Sequence, residues 1–434
     1  MMNSKERTMD IILQEDLELK ISEYNDKIYD IVRNELKDDN SQLRSDIYED
    51  FDDIYHLSDK EDVLSEAKEK YLRDFIDSYI ADKIQEFSQR ILNRTDILDK
   101  LSVLKELELP EQRSEEWYKI REGILTASSL ADAIGEGHFS TKDQLLIQKC
   151  GGPRGEVPFK IVEWGVMYEP VATKFYELMN HLTILEFGLV PHPQFKIFGA
   201  SPDGICDSDS PSDYIGRMLE IKCPPKRQFT KEVPSHYWMQ MQGQLECCNL
   251  EECDFLQVKF IEYTNGVDYN EDLLMEDDEV KEGYSSNNLP KGLLIAFEKD
   301  NPQGNPTIKY EYSDFYLSYD ELQAWSSKIK DDYQESDFQY DRIVDHWWKI
   351  ERYECTLVGR DRKWWLSVQP KIIDFWSDVL HYREIGIQAF HDKKAEQKIK
   401  KIKVKGSRKK KTTFEIDKAI VDKTQNNYLI DDSD

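Results

Sequence analysis

Two short segments decide the fold of this chain, GASPDG at 199–204 and MLEIKCP at 218–224. In the first, the carboxylate of Asp203 follows an apolar stretch. The second places Glu220 and Lys222 two residues apart within an apolar run. A carboxylate and an ammonium inside a strand cost free energy unless another group compensates them. These three side chains are therefore the first candidates for a functional site.

The spacing of the second segment fixes the direction of its side chains. Residues two apart on a strand project from the same face, so we expect Glu220 and Lys222 to share one face, with the apolar residues between and beside them on the other. The intervening stretch ICDSDSPSDYIGR is rich in turn formers. This predicts that 195–201 and 217–223 pair as a hairpin with a wide loop, which brings Asp203 close to Glu220.

The chemistry of these groups points to a divalent cation. Two neighbouring carboxylates repel and raise each other's pKa unless a cation holds them, and a site with only oxygen ligands suits Mg²⁺ or Mn²⁺. Lys222 could orient or deprotonate a water, or stabilise the charge of a phosphorane-like transition state. The alternative is structural, with Asp203 in a Ser-Pro-Asp-Gly turn and Glu220 beside Lys222 on a solvent-facing strand.

Two predicted helices bring further polar groups. The stretch KIVEWGVMYEPVATKFYELMN at 160–180 has helical spacing, so a third carboxylate, Glu169, could enter the site from a packed helix. The stretch PSHYWMQMQGQLECC places Tyr237, Gln240 and Gln244 on one otherwise apolar face. Glutamines on such a face need hydrogen-bond partners, and a site water or a phosphate would serve.

Composition sets the outer bounds. The chain has 434 residues, 39% of them hydrophobic, which is enough for two or three domains or for one large domain with appendages. It has no run of about eighteen apolar residues, and its N-terminus lacks the order of a signal peptide, so we expect a soluble, intracellular protein that is not secreted. Seven cysteines without a CxxC pair favour free thiols over disulfides.

Charge is unevenly distributed. The formal net charge is −28, and residues 1–100 hold 27 Asp/Glu against 15 Lys/Arg, whereas 393–411 hold eleven Lys/Arg and one Glu. Screening limits electrostatic reach to about 8 Å at physiological salt, so local patches decide binding while the total charge mainly affects solubility. A polyanionic ligand is compatible with this sequence.

The predicted secondary structure changes along the chain. Residues 9–105 contain no proline and predict several amphipathic helices, and Pro110 followed by Ser114, a predicted helix N-cap, marks a domain boundary. Strand-like stretches from 184 to 263, interrupted by a helix at 234–249, predict a mixed sheet flanked by helices. We further expect a surface loop at 264–291, two more strands up to residue 317, and helices from 320 to 384.

Five motifs in this order resemble the YqaJ viral-recombinase branch of the PD-(D/E)XK nuclease superfamily, which includes phage lambda exonuclease. They are RSEEWYKIREGILTASSLADAIG at 113–135, WGVMYEP, GASPDG, LEIKCP and HYWMQMQGQL. The resemblance covers 110–265 strongly and extends to about 380, as in members from large DNA viruses. It implies an α/β (α+β) fold with a PD-(D/E)XK restriction-endonuclease-like core, a mixed central sheet flanked by helices, and an N-terminal helical extension.

The resemblance also implies roles for particular residues. Metal ligands would be Glu169, Asp203, Glu220 and the backbone carbonyl of Ile221, holding two Mg²⁺ ions, with Mn²⁺ as a substitute. The catalytic lysine would be Lys222, and the attacking water would be supported by Gln240, with Tyr237 and Gln244 nearby. The 5′-phosphate of the degraded strand would be bound by Arg121 and Ser128, which agrees with the planar fork of donors that arginine offers. Trp117 is expected to be a core anchor.

The function implied is a metal-dependent 5′-3′ double-strand DNA exonuclease for viral recombination, repair or replication, in the host nucleus or a cytoplasmic viral factory. The alternatives are a structure-specific or restriction-like endonuclease and a non-catalytic DNA-binding or assembly protein. The substrate is duplex DNA with ends. Phage relatives form a ring-shaped trimer, a contact that the N-terminal addition could block or replace.

The predicted domains are an acidic helical extension at 1–108, a nuclease domain at 109–385, and a basic, disordered tail at 386–434. The extension would bind a single-strand annealing protein or other replication proteins. The tail would tether DNA, direct the protein to the nucleus, or be only a solvated end. The three cysteines after the glutamine helix do not have the spacing of iron–sulfur ligands.

Overall fold

The computed structural model describes residues 63–153, 159–277 and 279–397, together with 43–49 and residues 21, 24, 25, 27 and 28. The chain divides into two compact units, the first comprising Met1–Glu106 with Ser208–Gly216 and the second Leu107–Asp207 with Arg217–Asp434. The segment 208–216, which we predicted to lie within the nuclease domain, thus belongs to the first unit.

The first unit contains the long helix α1 (Val63–Lys105). Isoleucines from three separate parts of the sequence meet on this helix in a buried cluster formed by Ile21, Ile28, Leu43, Ile47, Ile76 and Ile80. The spacing of Ile76 and Ile80 places both on one helical face, as the amphipathic pattern predicts.

The second unit is a mixed α/β structure. Its helices are α2 (Glu115–Gly123), α3 (Leu130–Ile134), α4 (Lys142–Lys149), α5 (Phe159–Asn180), α6 (Ser235–Cys248), α7 (Gly266–Glu271), α8 (Tyr319–Gln334) and α9 (Arg362–Ile385). Its strands are β1 (Leu125–Thr126), β2 (Ile184–Leu185), β3 (Val190–Pro191), β4 (Phe198–Ala200), β5 (Gly204–Cys206), β6 (Met218–Lys222), β7 (Glu252–Glu262), β8 (Met275–Glu276), β9 (Glu279–Val280), β10 (Lys291–Lys299), β11 (Thr307–Tyr312) and β12 (Arg342–Gly359).

A seven-stranded sheet forms the centre of this unit, in the order β11-β10-β12-β7-β6-β5-β2. Strands β6 and β7 run parallel, because α6 connects them, and the other neighbours are antiparallel. A separate small sheet has the order β1-β4-β3.

Helices pack on both faces of the large sheet at β7. Tyr168 of α5 stacks on Phe260 with ring centroids 4.3 Å apart, and Tyr237 of α6 packs against Phe255 at 5.5 Å. Phe255 and Phe260 are five residues apart on one strand, so they project from opposite faces. The predicted mixed sheet flanked by helices is therefore confirmed.

The predicted hairpin between 195–201 and 217–223 is wrong. Strand β4 pairs with β1 and β3, and the partner of β6 is β5, with Gly204 opposite Leu219. The chain leaves the small sheet at Ala200, turns through Ser201–Asp203, and enters the large sheet only at Gly204. The expected proximity of Asp203 to Glu220 survives because this turn directly precedes β5.

The predicted helical region from 320 to 384 is wrong in its middle. Helices α8 and α9 are present, but 342–359 forms β12, which lies between β10 and β7. Its tryptophans and β-branched residues suit a strand, and Trp347 packs with α8 in a core that includes Leu293, Ile295 and Phe297.

Two other segments are more ordered than we predicted. The expected surface loop at 264–291 contains α7 and the β8-β9 pair, and it buries Tyr269 and Ser285. Residues 387–397, assigned to the disordered tail, are helical and bury Phe390, while 398–434 lie outside the described residues. Within the described ranges, every helix is too short or too polar to cross a bilayer. All seven cysteines are free thiols, as predicted.

Candidate active site

Glu220 is the centre of the candidate site. It lies on β6, is 0% exposed, and accepts hydrogen bonds at Oε1 from Lys222 and from Gln240 Nε2 (2.7 Å). Its other oxygen accepts from Gln244 Nε2, also at 2.7 Å. Glu220 and Lys222 therefore lie on one face of β6, as predicted, and this face contacts the glutamine-bearing face of α6. Both oxygens of this carboxylate therefore accept hydrogen bonds.

The close approach of α6 depends on a glycine. A Cβ at Gly243 would lie 2.9 Å from the ring of Phe198 and 3.1 Å from Ala127 Cβ. Only a residue without a side chain lets this helix lie so near to β4. The glycine thereby holds Gln240 and Gln244 within reach of Glu220.

Asp203 lies on the turn that precedes β5. Its Oδ2 accepts a hydrogen bond from the backbone amide of Ile221 at 2.7 Å. Burial raises the pKa of Asp203 well above its usual value, and the nearby charge of Glu220 raises it further. The site thus brings two carboxylates together, as the sequence predicted.

Glu169 reaches the site from α5, a helix that continues through Pro170. Both of its oxygens accept from Nη2 of Arg113, at 3.1 and 3.0 Å. Burial raises the pKa of Glu169, while Arg113 and Lys222 act in the opposite direction. All three predicted carboxylates therefore influence one another.

Lys222 lies among these negative charges. Burial alone would lower its pKa, but Glu220 and Asp203 reverse that effect, and the net pKa is raised. Its Nζ is 5.1 Å from the ring centroid of Tyr237, so the predicted supporting tyrosine also borders the site. The ammonium is held in its charged form.

The donor set fits a hard divalent cation. Three carboxylates supply oxygen ligands of the kind that Mg²⁺ and Mn²⁺ prefer. Burial raises the pKa of two of them, Glu169 and Asp203, and a bound cation would lower it again by stabilising the charged form. In the part of the chain that the structure describes, no three His, Cys, Asp or Glu side chains are already grouped as metal ligands. Cation binding would therefore displace the present donors, among them Arg113 and Lys222.

Arg121 and Ser128 contact each other and line a cavity that two of the carboxylates also line. Arg121 Nη2 donates to Ser128 Oγ at 3.2 Å, and the guanidinium lies 4.1 Å from the ring centroid of Trp117. A cavity of about 190 Å³ is lined by both residues and also by Asp203 and Glu169. The predicted phosphate-binding pair thus borders the space that the carboxylates border.

Trp117 is both a core residue and a wall of the site. It is buried, as expected, at the start of α2, where Ser114 caps the helix by accepting from the Trp117 amide at 3.2 Å. Its indole Nε1 donates to Ser201 Oγ at 3.1 Å, two residues before Asp203. The predicted N-cap is confirmed, and the indole ties α2 to the loop that carries Asp203.

Sequence reasoning missed two residues that precede this cap. Gln112 Nε2 donates to the carbonyls of Phe187 (2.8 Å) and Pro202 (3.1 Å), so it holds the loop of Asp203. Arg113 forms the ion pair with Glu169. Arg113 is the first residue of the motif at 113–135 and Gln112 directly precedes it, but a position in the chain carries no information about partners distant in sequence.

An aromatic patch beside Lys222 was also missed. His138 and His236 stack with ring centroids 4.8 Å apart, and Phe139 contacts His236 edge-on at 5.1 Å. Tyr237 connects this patch to Lys222, and Phe139 is 74% exposed. Burial and the neighbouring His138 lower the pKa of His236 to about 4, so this histidine is neutral at physiological pH. The patch offers exposed aromatic surface next to the carboxylates.

The mixed sheet carries Glu220 and Lys222 on β6, with Asp203 on the turn before the neighbouring β5 and glutamines on the following helix, which is the arrangement expected from the resemblance to PD-(D/E)XK nucleases. Residues 116–251 match the model of the YqaJ-like viral recombinase domain, so this part of the chain is similar to that family. The match includes Arg121, Glu169 and Gln244.

Two relatives come from large DNA viruses. "Uncharacterized protein R354" of Acanthamoeba polyphaga mimivirus is 31% identical over 307 residues, which is 66% of this chain and 55% of that protein. "Protein D345L" of African swine fever virus (strain Badajoz 1971 Vero-adapted) is 25% identical over 160 residues, or 31% of this chain and 46% of that protein. The chain spans about half the length of these curated relatives.

Among solved structures, the alkaline exonuclease LHK-Exo from Laribacter hongkongensis is similar at 19% identity with a TM-score of 0.35. That match covers 65% of this chain and 99% of the exonuclease.

Proposed function

We propose that this protein is a metal-dependent DNA nuclease, and specifically a 5′-3′ double-strand exonuclease acting in viral DNA recombination, repair or replication. One observation carries the proposal. Asp203 and Glu169 line a single cavity with Arg121 and Ser128, and Glu220 lies next to them under Gln240 and Gln244. Groups suited to hydrolysing a phosphodiester bond and a group suited to gripping a phosphate therefore face one space.

The cation would be held by Glu169, Asp203, Glu220 and the backbone carbonyl of Ile221, with two Mg²⁺ or Mn²⁺ ions as the proposed number. When bound, such ions supply charge neutralisation at the phosphate and lower the pKa of a water molecule. The amide of Ile221 already fixes Asp203, which keeps one carboxylate oriented toward the cavity.

Lys222 and Gln240 are proposed to act on the reacting groups. Lys222 keeps its proton at Nζ because Glu220 and Asp203 raise its pKa, so it presents a positive charge to the developing charge on the phosphoryl oxygens. Gln240 positions Glu220 through its 2.7 Å hydrogen bond and supports the attacking water. Gln244 and Tyr237 hold Glu220 and Lys222 from the same helix.

Arg121 is proposed to select the end of the DNA. Its guanidinium is held between Trp117 and Ser128, which reduces the entropy lost when it binds an anion. A terminal 5′-phosphate carries more charge than an internal phosphodiester and suits a planar fork of donors. A grip on this group favours an exonuclease over an endonuclease.

The other parts of the chain have proposed roles that rest on sequence. The acidic first unit would bind a single-strand annealing protein or other replication proteins. The basic segment that begins near residue 393 and extends beyond the described residues would contact DNA or direct the protein to the nucleus.

The proposal is tested with one DNA sequence in two forms, a linear duplex with 5′-phosphates and a covalently closed supercoiled circle. With Mg²⁺, the protein should release nucleotides from the linear duplex and leave the circle intact, and excess chelator should stop the reaction. Cleavage of both forms at similar rates would favour the endonuclease alternative. Tight binding of the linear duplex without cleavage in Mg²⁺ or Mn²⁺ would favour the non-catalytic alternative.

A further inference from the structure

The ion pair between Arg113 and Glu169 has an unusual geometry. A single guanidinium nitrogen, Nη2, bridges both carboxylate oxygens, at 3.1 and 3.0 Å. A fork-to-fork pair would use two nitrogens and would be stronger and more rigid. The side chains of Arg113 and Glu169 are 44% and 33% exposed, so solvent weakens the pair further. This contact is easily exchanged for another.

The rest of the guanidinium is available for a second anion. Within the residues that the structure describes, Nε and Nη1 of Arg113 have no hydrogen-bond partner. Arg113 lines the cavity of about 190 Å³ that holds the carboxylates and also the adjoining cavity of about 610 Å³. Arg121 lines both cavities too, so both arginines border the space next to Glu169 and Asp203.

The backbone of Arg113 is held by contacts of the residues on both sides of it. Arg113 has a φ of +68°, a left-handed conformation that a residue with a side chain adopts at some cost. On one side Gln112 is held by the carbonyls of Phe187 and Pro202, and on the other Ser114 caps α2. The base of the arginine therefore stays in place when its guanidinium changes partner.

We propose that Arg113 is a transferable counter-charge, which neutralises Glu169 before a cation binds and then moves to a phosphate of the DNA. The inference rests on the proposed function, because it takes Glu169 as a cation ligand. Once a divalent cation binds Glu169, the positive charge of Arg113 is no longer needed there and is repelled by the cation. The nearest anion that can use the released guanidinium is a phosphate in the cavity that Arg121 also lines.

This role predicts a particular sign for the coupling between the two ligands. Cation binding must break the ion pair, so Arg113 lowers the affinity for the cation in the absence of nucleotide. A bound phosphate attracts Arg113 away from Glu169, so phosphate raises the affinity for the cation, and by linkage the cation raises the affinity for phosphate by the same factor. A purely structural Arg113, which holds Glu169 in position for the cation, predicts the opposite effect on cation affinity.

The test measures binding rather than cleavage. Isothermal titration calorimetry gives the affinity of the full chain for Mn²⁺ alone, for thymidine 5′-monophosphate alone, and for each in the presence of the other. This nucleotide has no internucleotide bond to cleave. The variants are Arg113→Gly, which removes the guanidinium and relaxes the left-handed backbone, and Arg113→Lys, which keeps the charge. Arg342→Ala is the matched control, because Arg342 pairs with Glu298 and Asp300 on another part of the sheet.

In Arg113→Gly we expect Mn²⁺ alone to bind about two- to fivefold more tightly than in the wild type, the range that a half-exposed ion pair supplies. The enhancement of nucleotide affinity by Mn²⁺ should fall by at least about threefold. Arg113→Lys should lie between the two proteins, and Arg342→Ala should match the wild type.

Weaker or unchanged Mn²⁺ binding in Arg113→Gly would overturn the inference. So would an undiminished coupling between Mn²⁺ and the nucleotide. Failure of the wild type to bind Mn²⁺ at all would instead contradict the proposed function, so the two failures are distinguishable.

Discussion

Asp203 Oδ2 accepts a hydrogen bond from the backbone amide of Ile221 at 2.7 Å. This contact joins the turn before β5 to the middle of β6, between Glu220 and Lys222. It fixes the half-buried carboxylate of Asp203 beside the fully buried carboxylate of Glu220, an arrangement that lowers stability unless a cation or a proton compensates the charge.

Lys222→Met should destabilise the protein, because it removes the charged partner of Glu220, which is 0% exposed. Gln240 and Gln244 still donate to Glu220, so we expect a loss of about 2 to 3 kcal/mol rather than the full cost of an isolated buried charge. Chemical denaturation without divalent cations measures it.

The double variant Glu220→Gln with Lys222→Met should recover most of that stability, because it removes the remaining charge as well. If the double variant is as unstable as the two single losses added together, Lys222 does not stabilise Glu220 electrostatically.

Arg121→Ala should remove the preference for 5′-phosphorylated ends. A charge-assisted contact of this type contributes about 1.5 to 3 kcal/mol, so the rate ratio between 5′-phosphate and 5′-hydroxyl duplexes should fall by about ten- to a hundredfold. Digestion should also become less processive.

Arg121→Lys is the matched variant for this experiment, since it keeps the charge and loses the planar fork. It should retain part of the preference. An equal effect of Arg121→Ala on both kinds of end, and on a circle, would identify Arg121 as a general backbone contact.

Phe139→Ala should weaken binding of DNA with single-stranded ends. The ring is 74% exposed, contacts His236, and belongs to a patch that reaches Lys222 through Tyr237, so it is placed to stack on an unpaired base. Stacking of this type contributes about 1 to 3 kcal/mol, which corresponds to a five- to hundredfold loss of affinity. Fluorescence anisotropy in the presence of chelator measures binding without cleavage.

Val267→Ala is the control for Phe139, because Val267 is an exposed apolar residue of α7. It should leave the affinity unchanged. An equal affinity of Phe139→Ala and the wild type would remove Phe139 from the DNA path.

Deletion of 398–434 should flatten the salt dependence of DNA binding. Residues 398–411 contain nine Lys/Arg and no acidic residue. Each lysine that contacts a phosphate adds about 0.9 to the slope of log K against log salt, so loss of these contacts lowers the slope. The deletion begins after residue 397, where the described helix ends, and a Gly/Ser segment of equal length serves as the control.

Cleavage at saturating DNA should survive this deletion. An unchanged affinity and salt slope would mean that the segment serves for targeting or has no role in binding.

The sequence predicted those features that depend on neighbours in the chain. Ser114 caps α2 because a hydroxyl three residues before an amide is a local arrangement, and the glutamine face of α6 follows from helical spacing. The proximity of Asp203 to Glu220 was also predicted, and it holds because Asp203 directly precedes β5, which pairs with β6.

Features that depend on distant partners were not predicted. The partner of β6 was wrong because β4, an equally apolar strand, joins a separate sheet that also needs β1 and β3. The strand β12 was missed because aromatic and charged residues alternate irregularly along it, with a bulge between Ile350 and Arg352. The ion pair of Arg113 with Glu169 joins residues 56 positions apart, a distance over which spacing carries no signal.

The most direct test of the central claim is the cleavage rate of Asp203→Asn on a linear 5′-phosphorylated duplex with saturating Mg²⁺, measured together with thermal unfolding. Asparagine can still accept the hydrogen bond from the Ile221 amide, and it removes a half-buried charge beside Glu220, so the variant should unfold at the wild-type temperature or above it in the absence of cations. Its turnover should fall by at least about a thousandfold, equivalent to roughly 4 kcal/mol of transition-state stabilisation. A folded Asp203→Asn protein that releases nucleotides at a near-normal rate would contradict the assignment of this site as a nuclease centre.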